Sequence, residues 1–169
     1  AGLEYTGALK VLQMIFSYEY LWIQIRVKGG AYGCMCSFSD QGDSMFVTYR
    51  DPNLSESYKV YDEAADYVAD FDADDRDMKK YIIGTIGSMD MPMEAVDMGA
   101  RSFHAYFLDK TEADLQKVRD QVLSCTQEDI RALAPIVKAV VEAGNRCCIG
   151  NEEKIDQNKE YFDEVKHVL

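Results

Sequence analysis

The sequence has only two histidines, His104 and His167, far apart along the chain. Neither the H-E-x-x-H zinc signature nor its inverted form, H-x-x-E-H, is present. No stretch approaches the run of about 18 apolar residues that a membrane span needs, so no membrane partner is expected. The N-terminal Ala-Gly-Leu-Glu-Tyr-Thr has no basic region followed by an apolar core and is not read as a secretory signal. It also lacks an initiator Met, which points to a truncated or processed chain. Basic charge is scarce: 18 Lys and Arg face 30 Asp and Glu, for a net charge of -12. Such a domain repels phosphate backbones, which argues against a nucleic-acid partner. Solubility explains the charge; a wall of negative potential that attracts cationic peptides is the alternative. No serine sits in a nucleophile elbow. Gly29-Gly30 is followed by Gly33, without the G-x-G-x-x-G spacing of a phosphate loop.

The five cysteines, Cys34, Cys36, Cys125, Cys147 and Cys148, are an odd number without a signal. That argues against a disulfide framework and for a reducing, cytoplasmic compartment. Cys34 and Cys36 would share one face of a strand, and Cys147 and Cys148 opposite faces. Neither spacing matches the paired C-x(2–4)-C of a zinc site. They read as small, buried apolar side chains. The acidic run Asp70, Asp72, Asp74, Asp75 and Asp77 lacks the Gly and Glu of a calcium loop, having Asp75 and Tyr81 there. Carboxylates at a helix start explain it. Met89-Asp90-Met91-Pro92-Met93 reads as a core-filling turn, with soft-metal binding as the alternative. His104 is expected packed or half-exposed and His167 solvated.

A chain of 169 residues fits one domain and buries about 70% of its unfolded surface. Residues 3–27 read as one helix, with Ala8, Leu12, Ile15, Tyr18, Leu21, Trp22 and Ile25 at helical spacing. Val27-Lys28-Gly29-Gly30 ends it. Residues 32–40 and 44–50 alternate as a β-hairpin around Asp40-Gln41-Gly42-Asp43. Helices are expected over 54–70, 75–89, 93–108, 111–124 and 127–144, with Pro135 kinking or splitting the last. Thr111 and Thr126 each open a capping-box pattern. Residues 146–150 read as a short strand, Asn151 as the cap of a last short helix, and Tyr161–Leu169 as a docking tail or helix. The order predicts an α+β fold: a small antiparallel sheet with several helices on one face.

The segment Tyr20-Leu21-Trp22-Ile23-Gln24-Ile25-Arg26-Val27-Lys28-Gly29-Gly30-Ala31-Tyr32-Gly33 resembles the C-terminal half of presequence-protease-like members of the pitrilysin/insulinase zinc peptidases. The likeness continues through Tyr49-Arg50-Asp51-Pro52-Asn53-Leu54, Ile82 to Ile86, and Thr111 to Thr126. The resemblance implies a metallopeptidase-type α+β domain. Residues 1–169 would be the C-terminal domain, lacking its first strand or strands, of a larger four-domain peptidase. It implies that the zinc of the full-length enzyme lies in the N-terminal half, with no cofactor in this piece, and that peptides are the substrate. It maps the family's substrate-binding arginine and tyrosine onto Arg26 and Tyr32. From residue types alone, Arg26 reads better as a helix-terminal cation and Tyr32 as a strand aromatic; the surrounding motif reverses that preference. The resemblance makes the piece inactive alone and part of an endopeptidase for unfolded peptides. The alternatives are a non-catalytic homologue serving as a scaffold or interaction domain, and a free-standing acidic binding module.

Overall fold

The computed structural model describes residues 2–167. Helix α1 (Ala8–Ile15) runs without a break into two π-helical stretches, Phe16–Tyr20 and Trp22–Lys28. A hairpin follows: β1 (Gly33–Phe38) pairs antiparallel with β2 (Ser44–Tyr49), Cys36 opposite Phe46. Then come α2 (Leu54–Asp62), α3 (Ala64–Ala69), α4 (Asp75–Met89), α5 (Ala95–Phe107), α6 (Glu112–Leu123), α7 (Gln127–Arg131), α8 (Ala134–Glu142), α9 (Glu152–Asp156) and a 3-10 turn, Lys159–Tyr161. The fold is α+β, as the sequence predicts.

Alternation of the strands decides which face is covered. Cys36 and Phe38 point inward and are buried, whereas Met35, Met45 and Tyr49 stay exposed. Phe16, fully buried, joins the layers: its ring lies 5.7 Å from Tyr20, 5.7 Å from Phe46, 6.1 Å from Tyr67 and 6.4 Å from Phe38. Burial of such a side chain is worth about 1.5–3 kcal/mol. Tyr20 stacks on Tyr67 at 4.4 Å and donates its hydroxyl to the Val60 carbonyl at 2.7 Å. The capping boxes at Thr111 and Thr126 form as read. Asp74 caps α4, accepting the Arg76 and Asp77 N–H groups, so the acidic run does start a helix. The stretch read as 127–144 splits at Ala132–Leu133, where Pro135 enters α8 at its first turn.

Several expectations need correction. The first helix starts at Ala8, not residue 3, because Thr6 and Gly7 begin its bonding. Beyond Ile15 its apolar face follows i→i+5 bonding: Leu21 N–H donates to the Phe16 carbonyl, and Gly29 N–H to that of Gln24 at 3.1 Å. Buried positions then step by five residues, Phe16 to Leu21 and Tyr20 to Ile25. Tyr18 (65% exposed) and Trp22 (40%) therefore leave the core. The 54–70 helix is interrupted at Glu63.

Residues 146–150 form no strand. Arg146 instead pairs with Asp62 at 3.3 Å and lies over the Tyr58 and Tyr161 rings, holding the segment on α2 away from a ladder. Met91 and Met93 do not fill a core, because α5 beside them has no buried residue. Cys147 is exposed rather than buried, since its segment runs over the surface. Tyr161 and Phe162 dock against Tyr58, but residues 163–167 continue as exposed chain. The rest of the expected tail, Val168 and Leu169, lies outside the described residues.

Candidate functional site

Arg26 stands on the last π-helical turn. With i→i+5 bonding the Ile25 side chain goes inward and Trp22 and Arg26 go outward together; the guanidinium lies 4.5 Å from the Trp22 ring centroid. The chain then reverses through Gly29-Gly30. Gly30 adopts φ +81°, the left-handed region where glycine carries no steric penalty. At Gly29 a Cβ would sit 2.5 Å from the Ile25 carbonyl oxygen, so only glycine fits that approach. Asn53 donates its side-chain amide to the Gly29 carbonyl and ties the reversal to the end of the hairpin.

This reversal delivers Tyr32 next to Arg26. The Arg26 guanidinium lies 5.6 Å from the Tyr32 ring centroid, and Tyr32 is 64% exposed. Tyr32 N–H donates to the carbonyls of Tyr49 (3.1 Å) and Arg50 (3.3 Å), which fixes the residue at the sheet margin. Its ring meets Tyr49 edge-on at 5.9 Å. Its hydroxyl has no partner among the described residues. Cys34, two residues further along the chain in β1, senses the same cation. Burial raises its thiol pKa, the Arg26 charge works against that rise, and Asp51 adds to it.

The two residues singled out by sequence are thus brought together. Sequence reasoning missed Trp22, Tyr49 and Arg50, which complete an aromatic and cationic cluster. A signal existed: the turn fixes Gly33 opposite Tyr49, so one step further Tyr32 faces Arg50.

A cavity of about 560 Å³ lies elsewhere, between residues 2–5, β2, α2 and the end of α8. It includes none of Trp22, Arg26, Tyr32, Tyr49 or Arg50. Its walls include Tyr5, Tyr58, Arg146 and Cys147, with Arg146 already paired to Asp62. Polar groups without partners among the described residues lie instead at the open Arg–Tyr cluster. Among the described residues no three His, Cys, Asp or Glu side chains stand together to hold a metal ion. His104 is exposed on α5, and His167 lies 3.6 Å from Glu152.

Residues 1–151 match the model of the PreP C-terminal domain family. This chain belongs to that family. Across 168 residues it is 41% identical to Protein HypA of Clostridium perfringens, covering 99% of this chain and 17% of that protein. It is 33% identical over 172 residues to presequence protease 1, chloroplastic/mitochondrial, of Arabidopsis thaliana, covering 99% of this chain and 16% of that protein. It is 34% identical over 152 residues to the mitochondrial presequence protease of Aspergillus fumigatus, covering 88% of this chain and 14% of that protein. This PreP C-terminal domain thus corresponds to about a sixth of such relatives. Its class is that of a peptidase-associated domain. No helix among the described residues is long and apolar enough to cross a membrane.

Proposed function

We propose that this chain is the substrate-binding C-terminal domain of a zinc-dependent endopeptidase of the insulinase type that degrades unfolded peptides. In this reading residues 1–169 are the last of four related domains, and a zinc-bearing N-terminal half closes on them around the peptide. The observation that carries it is the meeting of Arg26 and Tyr32 at an exposed sheet margin, 5.6 Å apart from guanidinium to ring. The Tyr32 hydroxyl donates a hydrogen bond to the scissile carbonyl oxygen as negative charge develops there. Arg26 holds neighbouring peptide carbonyls or the same oxygen. Both act by positioning and charge, and neither needs to lose a proton.

The described residues do not fit a zinc ion, lacking any cluster of ligands for one. Zinc belongs to the other half in this reading, and the piece alone is inactive. The compartment we assign is the cytoplasm, where five free thiols stay reduced. The Arabidopsis and Aspergillus relatives carry organelle names of their own. In the full-length enzyme, Arg26→Ala or Tyr32→Phe is expected to lower kcat/KM on the order of 10²–10³, with zinc content unchanged. Unchanged kinetics would refute the assigned roles. So would stoichiometric zinc with hydrolysis by the purified 169-residue chain.

A second reading, a non-catalytic scaffold, draws support from α5, where Val96, Phe103 and Phe107 stand 78%, 65% and 66% exposed on one helical side. The sequence of the N-terminal half discriminates: an intact H-x-x-E-H motif there favours the enzyme.

A further inference from the structure

A second arginine reaches the Tyr32 ring. Arg50 follows β2 directly, is exposed, and places its guanidinium 5.8 Å from the Tyr32 centroid and 5.3 Å from that of Tyr49. Arg26 lies 5.6 Å from the same Tyr32 ring. Two guanidinium groups therefore share one exposed phenol.

What sets this pair apart is that both guanidinium groups converge on one ring. The chain carries a net charge of -12, and Arg119, Arg131 and Arg146 each pair with a carboxylate. Among the described residues Arg26 and Arg50, like Arg76 and Arg101, do not. The carboxylate next in sequence, Asp51, is committed elsewhere: it accepts the Ser57 hydroxyl at 2.5 Å and the Asn53 N–H at 2.9 Å. Two like charges without a counter-ion repel, and an incoming anion relieves that repulsion.

The backbone adds an independent observation. Arg50 has φ +48°, one of only two non-glycine residues with positive φ among those described. A turn alone would be served better by glycine or asparagine. The conformation is held by its neighbours: the Arg50 carbonyl accepts the Tyr32 N–H, and Asp51 and Asn53 lock the following turn onto Ser57 and Gly29. Strain maintained in this way is a pointer to use of the side chain.

We propose that Arg50 is a specificity-determining residue of the peptide site. Together with Arg26 it binds a carboxylate of the bound peptide, either an acidic side chain or the C-terminal carboxylate, beside the Tyr32 ring. The planar guanidinium suits a carboxylate because its N–H groups match two oxygens at once. The assignment rests on the peptide-site reading above.

The test uses the full-length enzyme and matched peptides: Glu against Gln at each position flanking the cleaved bond, and free against amidated C-terminus. Wild type is expected to favour the carboxylate member of one pair by about tenfold in KM, the size of one charge-assisted bond. Which pair responds identifies the source of the carboxylate. Arg50→Gln is expected to abolish that preference, raising KM for the carboxylate peptide about tenfold to that of its uncharged match. Arg50→Lys is expected to restore part of it. Arg50→Gly, whose backbone accepts this φ, is expected to keep the fold and reproduce the loss. The proposal is overturned if wild type shows no preference, or if Arg50→Gln retains it while Tyr32→Phe still lowers kcat. Unchanged kinetics in both Arg26→Ala and Tyr32→Phe would overturn the peptide-site reading itself, and the role of Arg50 with it.

Discussion

Adding one methyl group at two glycines of this domain is expected to move its stability in opposite directions. Gly7 lies at the start of α1 against α6. A Cβ there would sit 2.4 Å from the Val118 carbonyl oxygen, 2.8 Å from Gln121 Cβ and 3.1 Å from the Val122 nitrogen. Most of these atoms belong to helix backbone, so α6 must retreat as a body. The Gly7 N–H bond to the Gln121 side-chain oxygen, 2.8 Å, is strained in the process. Overpacking of this kind costs about 1–3 kcal/mol. Gly87 lies inside α4, is exposed, and a Cβ there would meet nothing within 4 Å. There the helix propensity of alanine acts alone and contributes about 0.5–1 kcal/mol. With a urea slope of about 1–3 kcal/mol/M, Gly7→Ala lowers the midpoint by about 1 M and Gly87→Ala raises it by a few tenths. The assay is urea unfolding of the 169-residue chain, followed by far-UV circular dichroism and by the fluorescence of the single tryptophan, Trp22. A Gly7→Ala midpoint at or above wild type, with an unchanged slope, would refute the packing of α1 on α6.

Tyr20→Ala is expected to cost about 3–5 kcal/mol, as a buried aromatic, whereas Tyr18→Ala, 65% exposed, stays within about 1 kcal/mol; urea midpoints compare the two, and equal losses would contradict the π-helical phase. Asp40 is held below the usual carboxylate pKa, first by its hydrogen bond to Lys110. A depressed pKa contributes stability above the unfolded value, about 3.9, and loses it as pH falls through the folded one. Asp40→Asn should therefore lower stability at neutral pH and flatten the acid limb of the profile, the difference from wild type vanishing as pH falls through the folded pKa; an unaltered acid limb would contradict the Asp40–Lys110 pairing. Burial pushes the Cys36 and Cys125 thiols up to about 12, while Cys147 is exposed. Iodoacetamide at neutral pH is expected to modify Cys147 well before either buried thiol, read by peptide mass spectrometry; equal rates would contradict the packing around Cys36 and Cys125.

Local signals in the sequence specify much of this fold. The alternation around Asp40-Gln41-Gly42-Asp43 marks the hairpin, the threonines at 111 and 126 mark their helices, and Pro135 marks a break. What escapes the sequence depends on tertiary partners. An Arg-Cys-Cys-Ile-Gly run has strand character, but a strand forms only against another edge, and Arg146 anchors that run to Asp62 and Tyr58 instead. The methionines at 91 and 93 look like core residues, yet the helix after them buries none of its residues. The π-helical turns are hidden for a different reason. The apolar run from Ile15 to Ile25 is rich enough to satisfy both a 3.6-residue and a wider period, so spacing alone does not choose between Tyr18 and Tyr20.

That choice of period is what builds the site. In a regular α-helix, a face defined by Ile15, Tyr18 and Trp22 would point at the core and carry Trp22 with it. The wider turns bury Phe16, Tyr20, Leu21 and Ile25 instead. Trp22 and Arg26 are left together on the open side, one above the other. Gly29 and Gly30 then bring the chain back closely enough for Tyr32 to meet Arg26, and the hairpin register adds Tyr49 and Arg50 from the neighbouring strand. Each step has a physical cause in a different residue type: bulky apolar groups set the turn width, glycines permit the reversal, and strand pairing fixes the partner. The Arg26–Tyr32 pair is legible in the sequence as a string of letters. Its exposure, and the second guanidinium beside it, follow only once those three causes act on one chain.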